Sequence, residues 1–218
     1  MRMYGLAALA LLIGFGSAAA GQPLAWVQLG PRGAEVRTLS DDGRCPSIEI
    51  DGVARDSRLR AAPNAAFPVT VCQLDAPPGA VRARLGGQVL PLPRPSPQRI
   101  LIFGDTGCRV KGRAIQDCNS PRGWPFAAIA ARAAALHPDL VIHVGDYYYR
   151  ETPCPPDHAE CAGSPYGDAW ATWRAEFFDP ARPLLASAPF VFVRGNHESC
   201  SRGGAGWFRL LDAADDPP

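Results

Sequence analysis

Arg99-Ile-Leu-Ile-Phe-Gly-Asp105-Thr-Gly107 is the stretch on which the fold turns. It reads as a short apolar strand, Ile100 to Phe103, running into a glycine turn that delivers one carboxylate. The same grammar recurs at Leu140-Val-Ile-His-Val-Gly145-Asp146, which is followed by Tyr147, Tyr148 and Tyr149. It returns at Phe190-Val-Phe-Val-Arg-Gly195-Asn196-His197-Glu198, where an amide, an imidazole and a carboxylate follow the glycine. Apolar runs of this length with β-branched members suit strands buried on both faces of a parallel sheet. Ligands of such sheets sit beyond the carboxyl ends of the strands. Three strands therefore bring Asp105, Asp146, Asn196 and His197 to one rim, which outlines a metal site.

Between the first two strands, Trp124 to His137 is an alanine-rich helical pattern that Pro138 ends, so the unit reads βαβ. A second helix, about Tyr166 to Phe178, carries Trp170, Trp173, Phe177 and Phe178 at helical spacing, and Asp179-Pro180 is expected to end it. Those aromatics are read as core. His143, inside its strand, is read as a core histidine, and His137 as a helix terminator. His158 and Arg150 fall in a loop read as solvated. Tyr147 and Tyr148 are expected to line a pocket.

Upstream, residues 21–92 hold short β-like runs with turn signals between them, such as Asp42-Gly43 and Pro78-Gly79. They read as a small β-rich domain of about five to seven strands, an antiparallel sheet with one wet face. A proline-dense linker over 93–98 separates it from the α/β part, 99–218.

The chain has 218 residues and is 47% hydrophobic, enough for a substantial core. Its 22 basic and 21 acidic residues nearly cancel, and no polybasic run is present, so nucleic acid is not an expected partner. The N-terminus has Arg2, an apolar stretch from Leu6 to Phe15 and the small residues Ser17 to Ala20. It reads as a signal peptide over residues 1–20, cleaved near Gly21; an uncleaved anchor is the competing reading, for which the apolar part is short. Cleavage leaves a periplasmic or secreted protein with no membrane contact.

All seven cysteines lie beyond that point. In an exported protein close spacings point to disulfides. Cys108 with Cys118, Cys154 with Cys161 and Cys45 with Cys72 are the candidate pairs, although sequence alone does not fix connectivity. Cys200 is left over.

Hard carboxylates at adjacent strand ends suit divalent or trivalent cations. Asp146 is placed to bridge two of them, Asn196 offers a neutral oxygen, and a two-metal clamp suits phosphoester hydrolysis. His197 is a candidate proton donor to the leaving alkoxide. Two roles stand open for Glu198: orienting that imidazole or tying the loop down.

Gly-Asp-x-Gly at 104–107, Gly-Asp-x-x-Tyr at 145–149 and Gly-Asn-His-Glu at 195–198, in that order, resemble the calcineurin-like metallophosphoesterases. Within them the pattern is most similar to the purple acid phosphatases. Gly107 stands where most of the superfamily has a histidine, and Tyr149 stands three residues after the second aspartate. The resemblance implies an α/β fold of αββα sandwich type and a binuclear centre pairing iron with iron, zinc or manganese. Asp105, Asp146 and Tyr149 would hold iron(III), and Asp146 and Asn196 its partner. His197 would be the catalytic acid in hydrolysis of a small phosphomonoester by a metal-activated hydroxide. A packed aromatic is the competing reading of Tyr149. Two later histidine motifs of the family, Val-x-x-His and Gly-His-x-His, do not occur here. The sequence is therefore read as the N-terminal portion of the enzyme, with doubtful activity by itself. The alternatives are a phosphodiesterase or nucleotidase of the same superfamily, and an exported remnant without catalysis. Oligomeric state is not legible.

Overall fold

The computed structural model describes residues 23–214; the expected signal peptide lies outside them. The described residues form thirteen strands and four α-helices. The first eight strands are β1 (Leu24–Gly30), β2 (Gly33–Ser40), β3 (Ser47–Ile50), β4 (Val53–Asp56), β5 (Arg58–Ala61), β6 (Thr70–Asp75), β7 (Arg82–Leu85) and β8 (Gln88–Pro91). Then follow β9 (Ile100–Phe103), β10 (Val110–Lys111), β11 (Ala114–Ile115), helix α1 (Phe126–Ala135), β12 (Leu140–His143) and β13 (Phe190–Phe192).

The three apolar runs are strands β9, β12 and β13, paired in parallel with β12 in the middle. Their sheet does not stop at the proline-dense linker. β1 pairs in parallel with β13 at Gln28 and Phe190, and the full order is β5-β6-β2-β1-β13-β12-β9. Residues 23–92 are thus not a separate unit in the structure: four of their strands extend the sheet that carries the motifs. The other four form a second sheet, β4-β3-β7-β8.

The expectation of one wet face fails for the first sheet. Leu24 to Gln28 in β1, Val36 to Leu39 in β2 and Thr70 to Gln73 in β6 are buried without alternation. The reason is that both faces are covered. Leu24 and Trp26 join the helices in the main core, while Ala25 and Val27 pack with Ile48, Ile50, Ala83 and Leu90 of the second sheet. β3 and β7 keep the expected alternation of exposed and buried residues.

The second helical stretch also departs from expectation. It begins with α2 (Trp170–Trp173), passes through a π-helical turn at Arg174–Phe178 and continues as α3 (Asp179–Leu185). Pro180 does not end it. The wide turn brings three consecutive residues inward, Glu176, Phe177 and Phe178, all at most 1% exposed. Pro180 then falls in the first turn after the widened ladder, where a missing N–H costs least. Helix α4 (Gly204–Leu210) follows the third motif. At the end of α1, His137 adopts a positive φ of 49°, which stops the helix one residue before Pro138.

Three disulfides join Cys45 to Cys72, Cys108 to Cys118 and Cys154 to Cys161, and Cys200 is free and exposed. Among the described residues no helix is long and apolar enough to cross a membrane.

Candidate metal centre

Because β9, β12 and β13 run parallel, their carboxyl ends deliver Asp105, Asp146 and Asn196 side by side, with Asp146 between the other two. Both aspartates have left-handed backbone, φ 54° and 62°, a conformation that aspartate tolerates better than most residues. Two backbone bonds zip the first two turns together, from Asp105 N–H to Gly145 O and from Thr106 N–H to Asp146 O, each 3.0 Å. Gly145, at φ 108°, lies against Gly195: a Cβ on Gly145 would meet the Gly195 backbone at 2.7 Å. The glycines preceding the second and third motif residues are there so that two strand ends can touch.

The Tyr149 hydroxyl donates to Asp105 Oδ1 at 2.7 Å and approaches Asp146 Oδ2 at 3.3 Å. Burial and the two carboxylates push its phenol well above the usual range. Gly107 makes room for this ring: a Cβ there would stand 2.5 Å from Tyr149 Cδ2 and 2.7 Å from Tyr147 O. Asp146 Oδ1 accepts the His197 N–H at 3.0 Å. With its amide nitrogen facing Asp146, Asn196 donates to Asp146 Oδ2 at 3.2 Å and accepts from Arg202 Nη1 at 3.1 Å. Two carboxylates and a phenol thus converge, oxygen donors suited to hard cations, beside an amide whose oxygen is turned to Arg202. Among the described residues no group of three or more His, Cys, Asp and Glu is placed to hold a metal ion.

His197 is 8% exposed, and its ring stacks on Tyr149 at 3.7 Å between centroids. Its Nδ1 pairs with Tyr148 O at 2.9 Å, and Arg202 Nη2 lies across the ring edge, 2.8 Å from Nδ1 and 3.1 Å from Nε2. Burial, and then the guanidinium, hold this imidazole below its usual pKa. Arg202 is in turn gripped by Glu151, which also pairs with Lys111 at 2.9 Å.

Glu198 ties the loop rather than orienting the imidazole. Its carboxylate accepts four backbone N–H groups, from Asp146, Tyr147, Tyr148 and Gly195, at 2.8–3.1 Å. Tyr147 and Tyr148 are core residues, 0% and 3% exposed, not pocket walls. The Tyr147 hydroxyl donates to Val193 O at 3.1 Å, and Tyr148 stacks on Trp173. His143 is the expected core histidine: it is fully buried, bonded to Thr106 Oγ1 at 2.9 Å and stacked on Tyr147. His158 is in an exposed loop beside Glu160, as read, but Arg150 is only 5% exposed. Arg150 lies over the Trp124 ring and 3.7 Å from Glu176.

Sequence reading missed Glu176. From the π turn its carboxylate accepts Cys108 N–H at 2.8 Å, Tyr149 N–H at 2.9 Å and Arg150 N–H at 3.3 Å. It therefore clamps the loop after Asp105 to the one that carries Tyr149. Burial drives its pKa up to about 8 against the pull of those donors. A glutamate beside two phenylalanines in a helix that otherwise reads as core was the available signal.

The sequence model of the calcineurin-like phosphoesterase family matches residues 98–217. Among solved structures the chain is similar to purple acid phosphatase PPD1 isolated from yellow lupin (Lupinus luteus) seeds, at 13% identity and a TM-score of 0.51. That alignment covers 89% of this chain and 41% of the lupin chain, so this chain spans about two fifths of its length. A second similar structure is PhoD, at 17% identity and a TM-score of 0.40, covering 82% of this chain and 38% of that one. No curated protein matches the chain. The family match takes in all three strand-end motifs and the parallel strands β9, β12 and β13 that align them, and the chain belongs to the calcineurin-like phosphoesterases.

Proposed function

We propose that this chain carries part of the centre of an exported, metal-dependent phosphomonoesterase of purple acid phosphatase type. The observation that carries the reading is the meeting of Tyr149 Oη with Asp105 Oδ1 and Asp146 Oδ2 over Gly107. Asp105, Asp146 and Tyr149 would hold an iron(III), and Asp146 with Asn196 a divalent iron, zinc or manganese. Asp146 suits the bridging position because its strand lies between the other two. When bound, such a pair of metals neutralises phosphate and activates water for in-line attack.

The chain's own groups supply the rest. Glu198 and Glu176 hold the turns in place through backbone N–H groups. To ligate through its carbonyl oxygen, Asn196 must turn that oxygen from Arg202 toward Asp146. His197 would give the proton to the leaving alkoxide from Nε2. An anionic phosphate that draws Arg202 away from the imidazole raises its pKa and readies it for that task. Four oxygen donors are few for two ions, so the reading needs further ligands; in the family these are histidines. It expects the 218 residues alone to bind metal more readily than they turn over substrate. The three disulfides support an oxidising compartment, hence the periplasm or the exterior.

Visible absorption of the iron-loaded protein tests the type. Tyrosinate on iron(III) gives a charge-transfer band, and Tyr149→Phe should abolish it. A band that survives this substitution, or a colourless iron-loaded protein, rejects the purple acid phosphatase assignment.

A further inference from the structure

Beside the candidate metal centre, a cleft of about 410 Å3 lies between the loop after β9 and the start of α1. Asp105 and Tyr149 line it together with Trp124, Phe126, Ile129 and Arg109. Two of these residues are exposed. Ile129 is 53% exposed, a large aliphatic side chain left in the open on α1. Arg109 is exposed, with its guanidinium 5.4 Å above the Tyr149 ring, and it makes no ion pair among the described residues.

The walls around them are fixed. Trp124 Nε1 donates to Thr106 O at 2.8 Å, and the Arg150 guanidinium covers its ring at 5.1 Å. Phe126 is wedged between Phe103 and Phe177, with centroids 6.2 Å from each. Gln116 braces the rim, accepting Arg109 N–H at 3.0 Å and donating to Gly123 O at 2.8 Å. The cleft is thus preformed, apolar and aromatic on one side, and next to an exposed guanidinium and to the donors Asp105 and Tyr149. Preformed apolar pockets with a few convergent polar groups are where small ligands bind.

We propose that this cleft receives the organic part of the phosphoester and favours flat, apolar alcohols, aryl groups above all, with Arg109 facing the phosphate. Trp124 and Ile129 supply the contact surface for the ring. The inference rests on the metal-centre reading above and adds the substrate class to it.

Calorimetric titration of the full manganese-loaded chain with inorganic phosphate, methylphosphonate and phenylphosphonate tests it. Phenylphosphonate should bind at least tenfold more tightly than methylphosphonate. Ile129→Gln, at an exposed position, should cut that ratio to about threefold or less and leave methylphosphonate binding unchanged. Arg109→Gln should weaken all three ligands by a similar factor. A phenyl-to-methyl ratio near one, or a ratio untouched by Ile129→Gln, overturns the cleft assignment while the metal-centre reading stands. Failure of all three anions to bind, or binding that ignores manganese, overturns the metal-centre reading, and the inference falls with it.

Discussion

The Tyr149 ring fills the space that any side chain at position 107 would need, since a Cβ on Gly107 would lie 2.5 Å from its Cδ2. The glycine in the first motif and the tyrosine in the second are therefore one choice, not two. Gly107→Ala should destabilise the chain by about 1–3 kcal/mol through overpacking. In a Tyr149→Ala background the same substitution should cost less by the share that the ring contributes, while the 2.7 Å approach to Tyr147 O remains. A double-mutant cycle by urea denaturation measures this coupling; additive losses would mean that the two positions do not compete for space.

Glu198 and Glu176 should matter more to stability than the two aspartates do. Glu198 accepts four backbone N–H groups and Glu176 accepts three, all in buried surroundings. Glutamine keeps one acceptor oxygen and turns an NH2 toward the remaining donors. At pH 9, where Glu176 is ionised, Glu198→Gln should cost roughly 3 kcal/mol from two unsatisfied buried N–H groups, and Glu176→Gln about 1–3 kcal/mol from at least one. Asp105→Asn, at an exposed carboxylate that accepts the Tyr149 hydroxyl, should cost under about 1 kcal/mol. Denaturation midpoints of the three variants decide the order.

Stability should fall in acid because of His143. Burial holds its imidazole down at about 3, against an ordinary 6.5. The unfolded chain takes up a proton below pH 6.5 that the folded chain refuses until near pH 3. The contribution of the neutral imidazole is thus complete above pH 6.5 and is lost as pH falls, at about 1.4 kcal/mol per unit. His143→Gln should lack this slope. Parallel pH profiles of the two proteins between 7.5 and 4.5 would assign the acid sensitivity to other groups.

Mass mapping of a non-reduced digest should recover the 45–72, 108–118 and 154–161 pairs, with only Cys200 open to alkylation. Cys108, Cys118 and Cys161 share a small core with Val110, which braces the loops on either side of the site. Replacing Cys154 and Cys161 by serine should cost about 2–3 kcal/mol. Free thiols at these positions in the native protein would contradict the pairing.

The rim was legible in the sequence because apolar runs ending in glycine and a polar residue have few other readings. β9, β12 and β13 and the side-by-side Asp105, Asp146 and Asn196 follow from that pattern. What was not legible depends on contacts distant in sequence. Nothing in Leu24 to Gly30 announces that β1 will pair with β13 and that both its faces will be covered. The π turn is equally hidden, since Asp179-Pro180 reads locally as a stop; only tertiary packing of Phe177 and Phe178 carries the helix through it. Glu176 reads as a surface residue until its backbone partners are known. Tyr147 and Tyr148 differ from Tyr149 by where the chain turns after Asp146, not by residue type.

The central claim is that Asp146 joins the two halves of a metal site whose other donors are Asp105, Tyr149 and Asn196. Metal stoichiometry of the folded chain, measured by elemental analysis after equilibrium dialysis against manganese or iron, tests it most directly. The account predicts bound metal in the unmodified chain, a loss in Asn196→Ala and a distinctly larger loss in Asp146→Asn, with the fold intact by circular dichroism. No metal in the unmodified chain, or a loss in Asp146→Asn no greater than in Asn196→Ala, would contradict it.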